Sequence, residues 1–146
     1  MVLRLVYSSI SSDMGPNSSK LQQLREILAS AQKHNGQNNV TGFLVFDGTT
    51  FLQILEGERK DVIETYDRIK MDKRHKDVNL FEMSDIEERQ FADWHMGGSM
   101  RTLEAQEIYL SHGIGQVINP NTLSAAKIVA LALDLQSYEQ ERREAI

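Results

Sequence analysis

The chain has 146 residues, a formal net charge of −5, 40% hydrophobic and 25% charged residues, and no cysteine. This length suits one domain with a sizeable core, and the acidic balance argues against a nucleic-acid partner. The lack of cysteine excludes disulfides and thiolate chemistry, and no apolar run approaches the roughly 20 residues that span a bilayer. Because no signal-peptide pattern precedes the first strand, we expect a cytoplasmic protein with no membrane partner.

The beginning of the chain predicts a strand, a loop and a helix. Residues 2–7 have the apolar pattern of a strand, and residues 8–19 form a polar loop that ends in serines suited to cap a helix. The sequence His34-Asn35-Gly36 predicts the end of that helix. Its apolar stripe, at helical spacing, consists of Leu21, Leu24, Ile27, Leu28 and Ala31.

The middle of the chain predicts a hairpin, a second helix and two further strands. Asp47-Gly48 is a turn signal between two apolar runs, and Gly57 ends the second run. The predicted elements are strands at 40–46 and 51–55, a helix at 60–71, and strands at 78–86 and 91–96. The order of elements is therefore βαββαββ.

This order predicts an α+β, ferredoxin-like fold, in which a mixed five-stranded sheet carries two helices on one face. We expect the first and third strands to lie adjacent and parallel. Tyr7 and Gln53 would then be neighbours at the carboxyl ends of that pair, the end that ligands favour in open α/β sheets.

The C-terminal part, residues 101–146, predicts a helical extension rather than a second domain. Its main helix, from Ser124 to about Tyr138, is apolar around nearly its whole circumference. Two interpretations remain open. The helix is either an adaptor or oligomer surface, or it packs on the open face of the sheet.

Gln53 is the polar residue that most needs explanation. In the sequence Phe51-Leu-Gln-Ile-Leu-Glu-Gly57, strand alternation places its amide on the same face as Phe51 and Leu55. A buried amide without partners costs roughly 2 to 7 kcal/mol. The strand is therefore expected to bind something polar together with Gln53.

Other polar and aromatic residues have an ordinary structural interpretation when each is taken alone. Tyr7 suits a core aromatic, Asn35 a helix C-cap and Met96 a gap filler, while Trp94 suits a core position. Arg68 and Asp72 lie four apart and suit a helical ion pair, and Arg74-His75 suits a solvated helix end.

Together these residues resemble the pattern of the BLUF family, blue-light sensors that use flavin adenine dinucleotide. The resemblance covers residues 2 to about 98. It rests on the spaced combination of seven strings: Leu5-Val-Tyr-Ser-Ser9, His34-Asn35, Val40-Thr-Gly42, Phe51-Leu-Gln-Ile-Leu-Glu-Gly57, Tyr66-Asp-Arg-Ile69, Asp72-Lys-Arg-His75 and Phe91-Ala-Asp-Trp-His-Met96.

The resemblance implies a flavin held between the two helices, with its ring edge facing Tyr7 and Gln53. Asn35 would bond the flavin N3–H and C4 carbonyl, and Arg68 and Asp72 would hold the uracil-like edge. The remaining residues implied to line the pocket are His34, Arg74 and His75. FAD is the implied cofactor, and FMN or riboflavin is also compatible because the chain has no phosphate-binding loop.

The implied mechanism is light-driven transfer of an electron and a proton from Tyr7 through Gln53 to the flavin. The Gln53 amide would rotate or tautomerise, and strand five, with Trp94 and Met96, would pass the change to the C-terminal helix. Ser9 belongs to the implied photoactive group. No net reaction occurs, so the chain would be a sensor rather than an enzyme, with neither catalytic residues nor a metal.

The resemblance also implies that residues 1–100 are the flavin-binding photosensor domain and that residues 101–146 serve signal output or oligomerisation. We expect the chain to form a homo-oligomer and to bind a downstream protein partner. Three alternatives remain open: a sensor module of a larger light-regulated enzyme, a structural dimerisation module, or a small ferredoxin-like enzyme. In that enzyme the acid or base would be His75, Asp72 or Glu56.

Overall fold

A computed structural model describes residues 1–12 and 19–144. Its elements are β1 (Val2–Ser11), α1 (Lys20–Asn38), β2 (Thr41–Phe46), β3 (Thr50–Gly57), α2 (Arg59–Met71), β4 (His75–Ile86), β5 (Gly97–Met100), α3 (Gln106–Ser111), a 3-10 turn (Pro120–Thr122) and α4 (Ala125–Glu144). The predicted α+β fold is confirmed, with its mixed five-stranded sheet and C-terminal helix. Of the predicted loop, residues 8–11 belong to β1, and residues 13–18 lie outside the described residues.

The strand order is β4-β1-β3-β2-β5, so the predicted adjacency of β1 and β3 is correct, but their predicted parallel direction is wrong. The crossover through α1 gives β1 and β2 the same direction, with β3 between them. The tight hairpin after β2 then reverses the chain, which makes β3 antiparallel to both neighbours. The parallel pair in this sheet is β2 with β5.

Two predicted element boundaries are also wrong. The helix α1 does not end at residues 34–36 but runs to Asn38, and Asn39 ends it in the left-handed conformation with φ of 54°. Asn35 is therefore a buried residue inside the helix rather than its C-cap. Strand five begins at Gly97, so Trp94 and Met96 precede it and lie in the connection from β4 to β5, residues 87–96.

The sheet has a separate hydrophobic layer on each face. Toward α1 and α2 it presents Leu3, Leu5, Tyr7, Leu44, Phe46, Phe51 and Leu55. Toward α3 and α4 it presents Val6, Phe43, Val45, Leu52 and Ile54. Alternation along β1 and β3 produces this division, because successive side chains point to opposite faces.

The C-terminal helix packs on the sheet face opposite α1 and α2, which is one of the two interpretations left open by its sequence. Ile128, Leu131, Ala132 and Leu135 are fully buried against that face. The apolar circumference of α4 is thus largely hidden within the chain. Within the described residues, no helix is long and apolar enough to cross a bilayer.

Candidate functional site

A cavity of about 550 Å³ lies between α1 and α2, above β3. Seven of the eight residues expected to bind a cofactor line it: His34, Asn35, Gln53, Arg68, Asp72, Arg74 and His75. The eighth, Tyr7, is fully buried beneath Gln53. The fold therefore brings together side chains from α1, α2, β3 and the segment from α2 into β4, which are up to about 40 residues apart in sequence, and this is the arrangement of a small-molecule site.

Some lining residues were not singled out from the sequence. Ser30 and Thr65 face the cavity from α1 and α2, together with Ile27, Ala31, Ile69 and Met71. Their helical spacing relative to His34 and Arg68 was the available signal, because residues three or four apart share a helix face. Apolar residues on such a face do not reveal whether they meet the core or a cavity.

Gln53 lies in a buried hydrogen-bond chain at the floor of the cavity. The Tyr7 hydroxyl donates to Gln53 Oε1, and Gln53 Nε2 lies 3.3 Å from the sulfur of Met96. Burial raises the pKa of Tyr7 well above its ordinary value, and the nearby Tyr66 and Asp72 act in the same direction. Tyr7 is therefore a neutral phenol that donates its proton to the amide oxygen.

Asn35 connects the cavity to the β4–β5 connection. Its Nδ2 donates to the backbone oxygen of His95 at 2.7 Å, and the neighbouring Gln32 donates to the backbone oxygen of Met96 at 3.0 Å. The other amide atom, Asn35 Oδ1, is buried and has no hydrogen-bond partner among the described residues. A buried acceptor in this state favours a ligand that brings an N–H donor.

Asp72 and Arg74 form a compact ion pair at the end of α2. Arg74 Nε lies 3.0 Å from both carboxylate oxygens of Asp72, so Asp72 pairs with Arg74 rather than with Arg68. Burial alone would raise the pKa of Asp72, but hydrogen bonds and charge from Arg74 hold this pKa below its ordinary value. The carboxylate of Asp72 therefore remains ionised. Arg68 does not pair with it and lines the cavity.

His75 lies at the inner wall of the cavity with Ser9. The Ser9 hydroxyl and His75 Nδ1 are 2.8 Å apart, and the Phe51 ring centroid lies 4.8 Å from the imidazole. Burial lowers the pKa of His75 to about 4. The imidazole is therefore neutral near pH 7 and acts as a hydrogen-bonding group rather than a cation.

Trp94 and Met96 are separated by the sheet. Met96 contacts Gln53 from the cavity side. The indole of Trp94 instead packs edge-on against Phe43, with ring centroids 6.1 Å apart, on the side of α4. Met96 thus meets Gln53 and Trp94 does not, because the two residues precede β5 in a bent segment rather than lie on a regular strand.

Glu56 has a structural position that does not suit an acid or base. Its buried carboxylate accepts hydrogen bonds from the backbone N–H groups of Gln90 and Phe91, at 2.8–3.1 Å. Burial raises the pKa of Glu56, and the two backbone N–H groups oppose that shift. Glu56 fixes the start of the β4–β5 connection on the sheet face away from the cavity. Among the described residues, no group of three or more His, Asp or Glu could hold a metal ion.

The cavity has the chemistry that an isoalloxazine ring requires. The unpartnered Asn35 Oδ1 suits the N3–H of the ring, and the amide of Gln53 and the guanidinium of Arg68 supply donors for its carbonyl oxygens. Apolar side chains of α1 and α2 line the space between the two helices and suit the faces of a flat ring. The residues present therefore fit a flavin.

Comparison with known protein families gives the same assignment. The family model described as "BLUF: Sensors of blue-light using FAD" matches residues 2–97. The chain is 36% identical over 72 residues to photoactivated adenylate cyclase subunit beta of Euglena gracilis, which is 49% of this chain and 8% of that protein. It is 35% identical over 78 residues, 53% of this chain, to the blue light- and temperature-regulated antirepressor BluF of Escherichia coli, and it matches 18% of that protein.

Solved structures resemble the chain over most of its length. The photo-activated state of BlsA matches with a TM-score of 0.79 and 30% identity, covering 92% of this chain and 94% of BlsA. A bacterial light-regulated adenylyl cyclase matches with a TM-score of 0.61 and 31% identity, covering 99% of this chain and 36% of the cyclase. The dark state of BlrB, at 24% identity and a TM-score of 0.75, supports the fold. From the family match and the geometry of the cavity, we conclude that this chain belongs to the BLUF family of blue-light sensors that use FAD.

Proposed function

We propose that this BLUF chain senses blue light through the amide of Gln53 and passes the signal through the β4–β5 connection to α4. The observation that carries the proposal is the buried chain from the Tyr7 hydroxyl through Gln53 to Met96. Of these three side chains, only Gln53 has both an acceptor atom, Oε1, and a donor atom, Nε2. If these two atoms exchanged places, the hydrogen bonds of Gln53 with both Tyr7 and Met96 would change.

The cavity residues would hold the flavin, FAD or a shorter form, non-covalently. Asn35 Oδ1 would accept from the ring N3–H, while Arg68, Arg74 and His34 would surround the polar edge and the ribityl side. The ionised Asp72 keeps Arg74 in place. Bound flavin would supply the absorption of blue light and the electron acceptor.

The reacting groups of the protein are proposed to be Tyr7 and Gln53. Tyr7 is the phenol placed to give up an electron, and its proton can leave along its hydrogen bond to Gln53 Oε1. When the electron and proton return to Tyr7, neither Tyr7 nor the flavin has undergone a net redox change. What would persist is a Gln53 amide that is rotated or tautomerised and that no longer offers the same atom to Tyr7 and Met96.

The rearranged amide would act on the backbone through Met96. Loss or gain of one hydrogen bond is worth about 1 kcal/mol, so it can only bias two packings of nearly equal free energy. The β4–β5 connection suits this requirement because, apart from one backbone bond from Gly42 to Trp94, its last residues are held by side-chain bonds from Asn35 and Gln32 and not by a strand ladder. From Met96 the change would continue into β5, which contacts α4 through Ser99 and Glu139.

We further propose a cytoplasmic protein without enzymatic activity that acts through its own oligomer or a downstream protein. The alternative with specific support is a sensor module of a light-regulated enzyme, because this chain matches about one third of a light-regulated cyclase, 36% of its length. The carboxylate of Glu56 accepts hydrogen bonds from the backbone N–H groups of residues 90 and 91, which argues against a catalytic base at Glu56 and so against a small ferredoxin-like enzyme that uses it.

Absorption spectroscopy of the purified protein tests the proposal. The protein, supplied with FAD, should be yellow, and blue light should shift the flavin band slightly to longer wavelength, with recovery in the dark. A protein that takes up none of FAD, FMN or riboflavin, or a flavin-loaded protein without a reversible shift, would overturn the proposal. Light-scattering mass measurements before and after illumination distinguish an oligomeric output from one that needs a partner.

A further inference from the structure

The last turns of α4 meet the photoactive part of the chain at two points. The guanidinium carbon of Arg143 lies 4.5 Å from the centre of the Trp94 ring, and Ser99 Oγ donates to Glu139 at 3.0 Å. Glu139 and Arg143 are four residues apart, so they share one face of the helix. That face contacts Trp94, which precedes β5, and Ser99, which lies within β5.

The indole of Trp94 is held on its other sides by the sheet. Phe43 meets it edge-on at 89°, and a Cβ atom at Gly97 would come within 2.6 Å of the Trp94 ring, so the ring rests directly on the backbone of β5. The backbone of Trp94 is fixed separately, because the N–H of Gly42 donates to its carbonyl oxygen at 2.9 Å. Arg143 therefore contacts the part of Trp94 that this backbone bond does not fix.

Open space lies beside this contact. A cavity of about 200 Å³ is bounded by Asp93, Trp94, Gln140 and Arg143. Two residues beyond Trp94, Met96 contacts Gln53 on the opposite side of the sheet. The contact of Trp94 with Arg143 and the contact of Met96 with Gln53 are thus joined by the short segment 94–96.

We infer that Arg143 is a positioning residue: it holds Trp94 outside the flavin cavity and thereby couples the end of α4 to the Gln53 switch. This inference rests on the proposed function, since it assigns a role within the same photocycle. A cation over an aromatic ring at a partly exposed site changes a two-state population by about two- to five-fold. Coupling of this size is sufficient to bias packings that are nearly balanced.

The coupling is reciprocal. If the packing at Gln53 changes the hold of Arg143 on Trp94, then any binding event that draws the last turns of α4 away from the sheet changes the population of the two packings at Gln53. The end of α4 is therefore both the place where the signal leaves and the place where a partner would alter the light response.

Trp94 is the single tryptophan of the chain, so fluorescence excited at a wavelength that the four tyrosines do not absorb reports on this contact. We would compare wild type with Arg143→Ala, Arg143→Lys and Lys127→Ala, using acrylamide quenching of Trp94 and the rate of dark recovery of the flavin band. Lys127→Ala is the matched control because it removes one positive charge from the opposite end of α4.

Arg143→Ala should raise the acrylamide quenching constant, because one face of the indole loses its cover, and should change the recovery rate by at least about two-fold. Arg143→Lys should change the quenching constant and the recovery rate less than Arg143→Ala does, since a cation remains over the ring. Lys127→Ala should match wild type in both measurements. Wild-type quenching or wild-type recovery in Arg143→Ala would overturn the inference. A wild-type protein without any light-induced shift would instead overturn the proposed function, and the quenching result would still decide whether Arg143 positions Trp94.

Discussion

Tyr7 and Gln53 are direct partners across β1 and β3, and the Tyr7 hydroxyl donates to Gln53 Oε1 within a fully buried site. The antiparallel pairing of the two strands places both side chains on the face that carries α1 and α2. The two residues therefore form one unit that the sheet itself fixes, while the third contact of that unit, Met96, belongs to an irregular segment. A pair whose backbone is fixed by the sheet, beside a neighbour in an irregular segment, suits a switch that converts a change of the Gln53 amide into a displacement.

Asn35 should contribute to flavin affinity and to the position of the β4–β5 connection at once. Asn35→Leu removes the free Oδ1 and leaves the His95 carbonyl without its donor, so we expect flavin affinity to fall by about 10- to 100-fold. Titration of apoprotein with riboflavin, followed by quenching of flavin fluorescence, measures this change. Gln37→Ala, an exposed change two residues along α1, is the control, and equal affinities of the two variants would contradict the assignment of Asn35.

Alanine substitutions at Gly36 and Gly42 should change the stability of the protein in opposite directions. A Cβ at Gly36 meets nothing within 4 Å inside α1, so Gly36→Ala should stabilise the protein by about 0.5–1 kcal/mol through a lower entropy of the unfolded chain. A Cβ at Gly42 would come within 2.0 Å of the Ile54 backbone oxygen and must push β2 away from β3, so Gly42→Ala should destabilise it by more than about 2 kcal/mol.

Urea unfolding of both glycine variants in parallel, monitored by circular dichroism, measures this difference. A Gly42→Ala protein as stable as wild type would mean that β2 and β3 are not as closely paired as described. Gly36→Ala serves as the internal control for the general effect of alanine on the unfolded chain.

His75 should make stability depend on pH. Its pKa in the folded protein is lowered to about 4, so below its ordinary pKa of 6.5 the unfolded chain binds a proton that the folded chain does not. The stabilisation is therefore complete above pH 6.5 and is lost as the pH falls toward 4. Between pH 7 and pH 5 the loss attributable to this residue should be about 2 kcal/mol.

The variant His75→Asn isolates that contribution, because the amide can still bond Ser9 but does not titrate. Urea unfolding at pH 7 and pH 5, with both proteins saturated with FAD, should show a smaller loss of stability for His75→Asn than for wild type. The same loss in both proteins would show that His75 is not buried as a neutral group.

The sequence was sufficient for the elements that depend on local patterns. Apolar alternation in residues 2–7 and 51–55 and the helical stripes of α1 and α2 predicted the sheet, the two helices and the face that Gln53 shares with Phe51. The residues around the cavity followed from the family resemblance rather than from periodicity, since His34 and Arg74 alone have ordinary surface interpretations.

The sequence-based predictions failed where tertiary contacts determine the local structure. Phe91 and Met96 look like strand residues, but residues 90–96 bend away from the sheet, where Glu56 accepts from the backbone N–H of Phe91 and where Asn35 and Gln32 donate to backbone oxygens. Asn35 looks like a helix cap, but Gly36 is accommodated within α1 and Asn39 ends the helix instead. The sequence pattern predicts both Trp94 and Met96 on strand five, where residues two apart share a face, but Trp94 contacts Arg143, about 50 residues away, on the opposite side of the sheet from Met96.

The light-minus-dark absorption difference of Gln53→Leu tests the central claim most directly. Gln23→Leu is the matched control, because it replaces another buried glutamine, which bonds Ser11 away from the cavity. We predict that both variants bind FAD and that Gln23→Leu keeps the reversible red shift, while Gln53→Leu loses it, as does Tyr7→Phe. A full, reversible shift in Gln53→Leu would contradict the assignment of Gln53 as the switch.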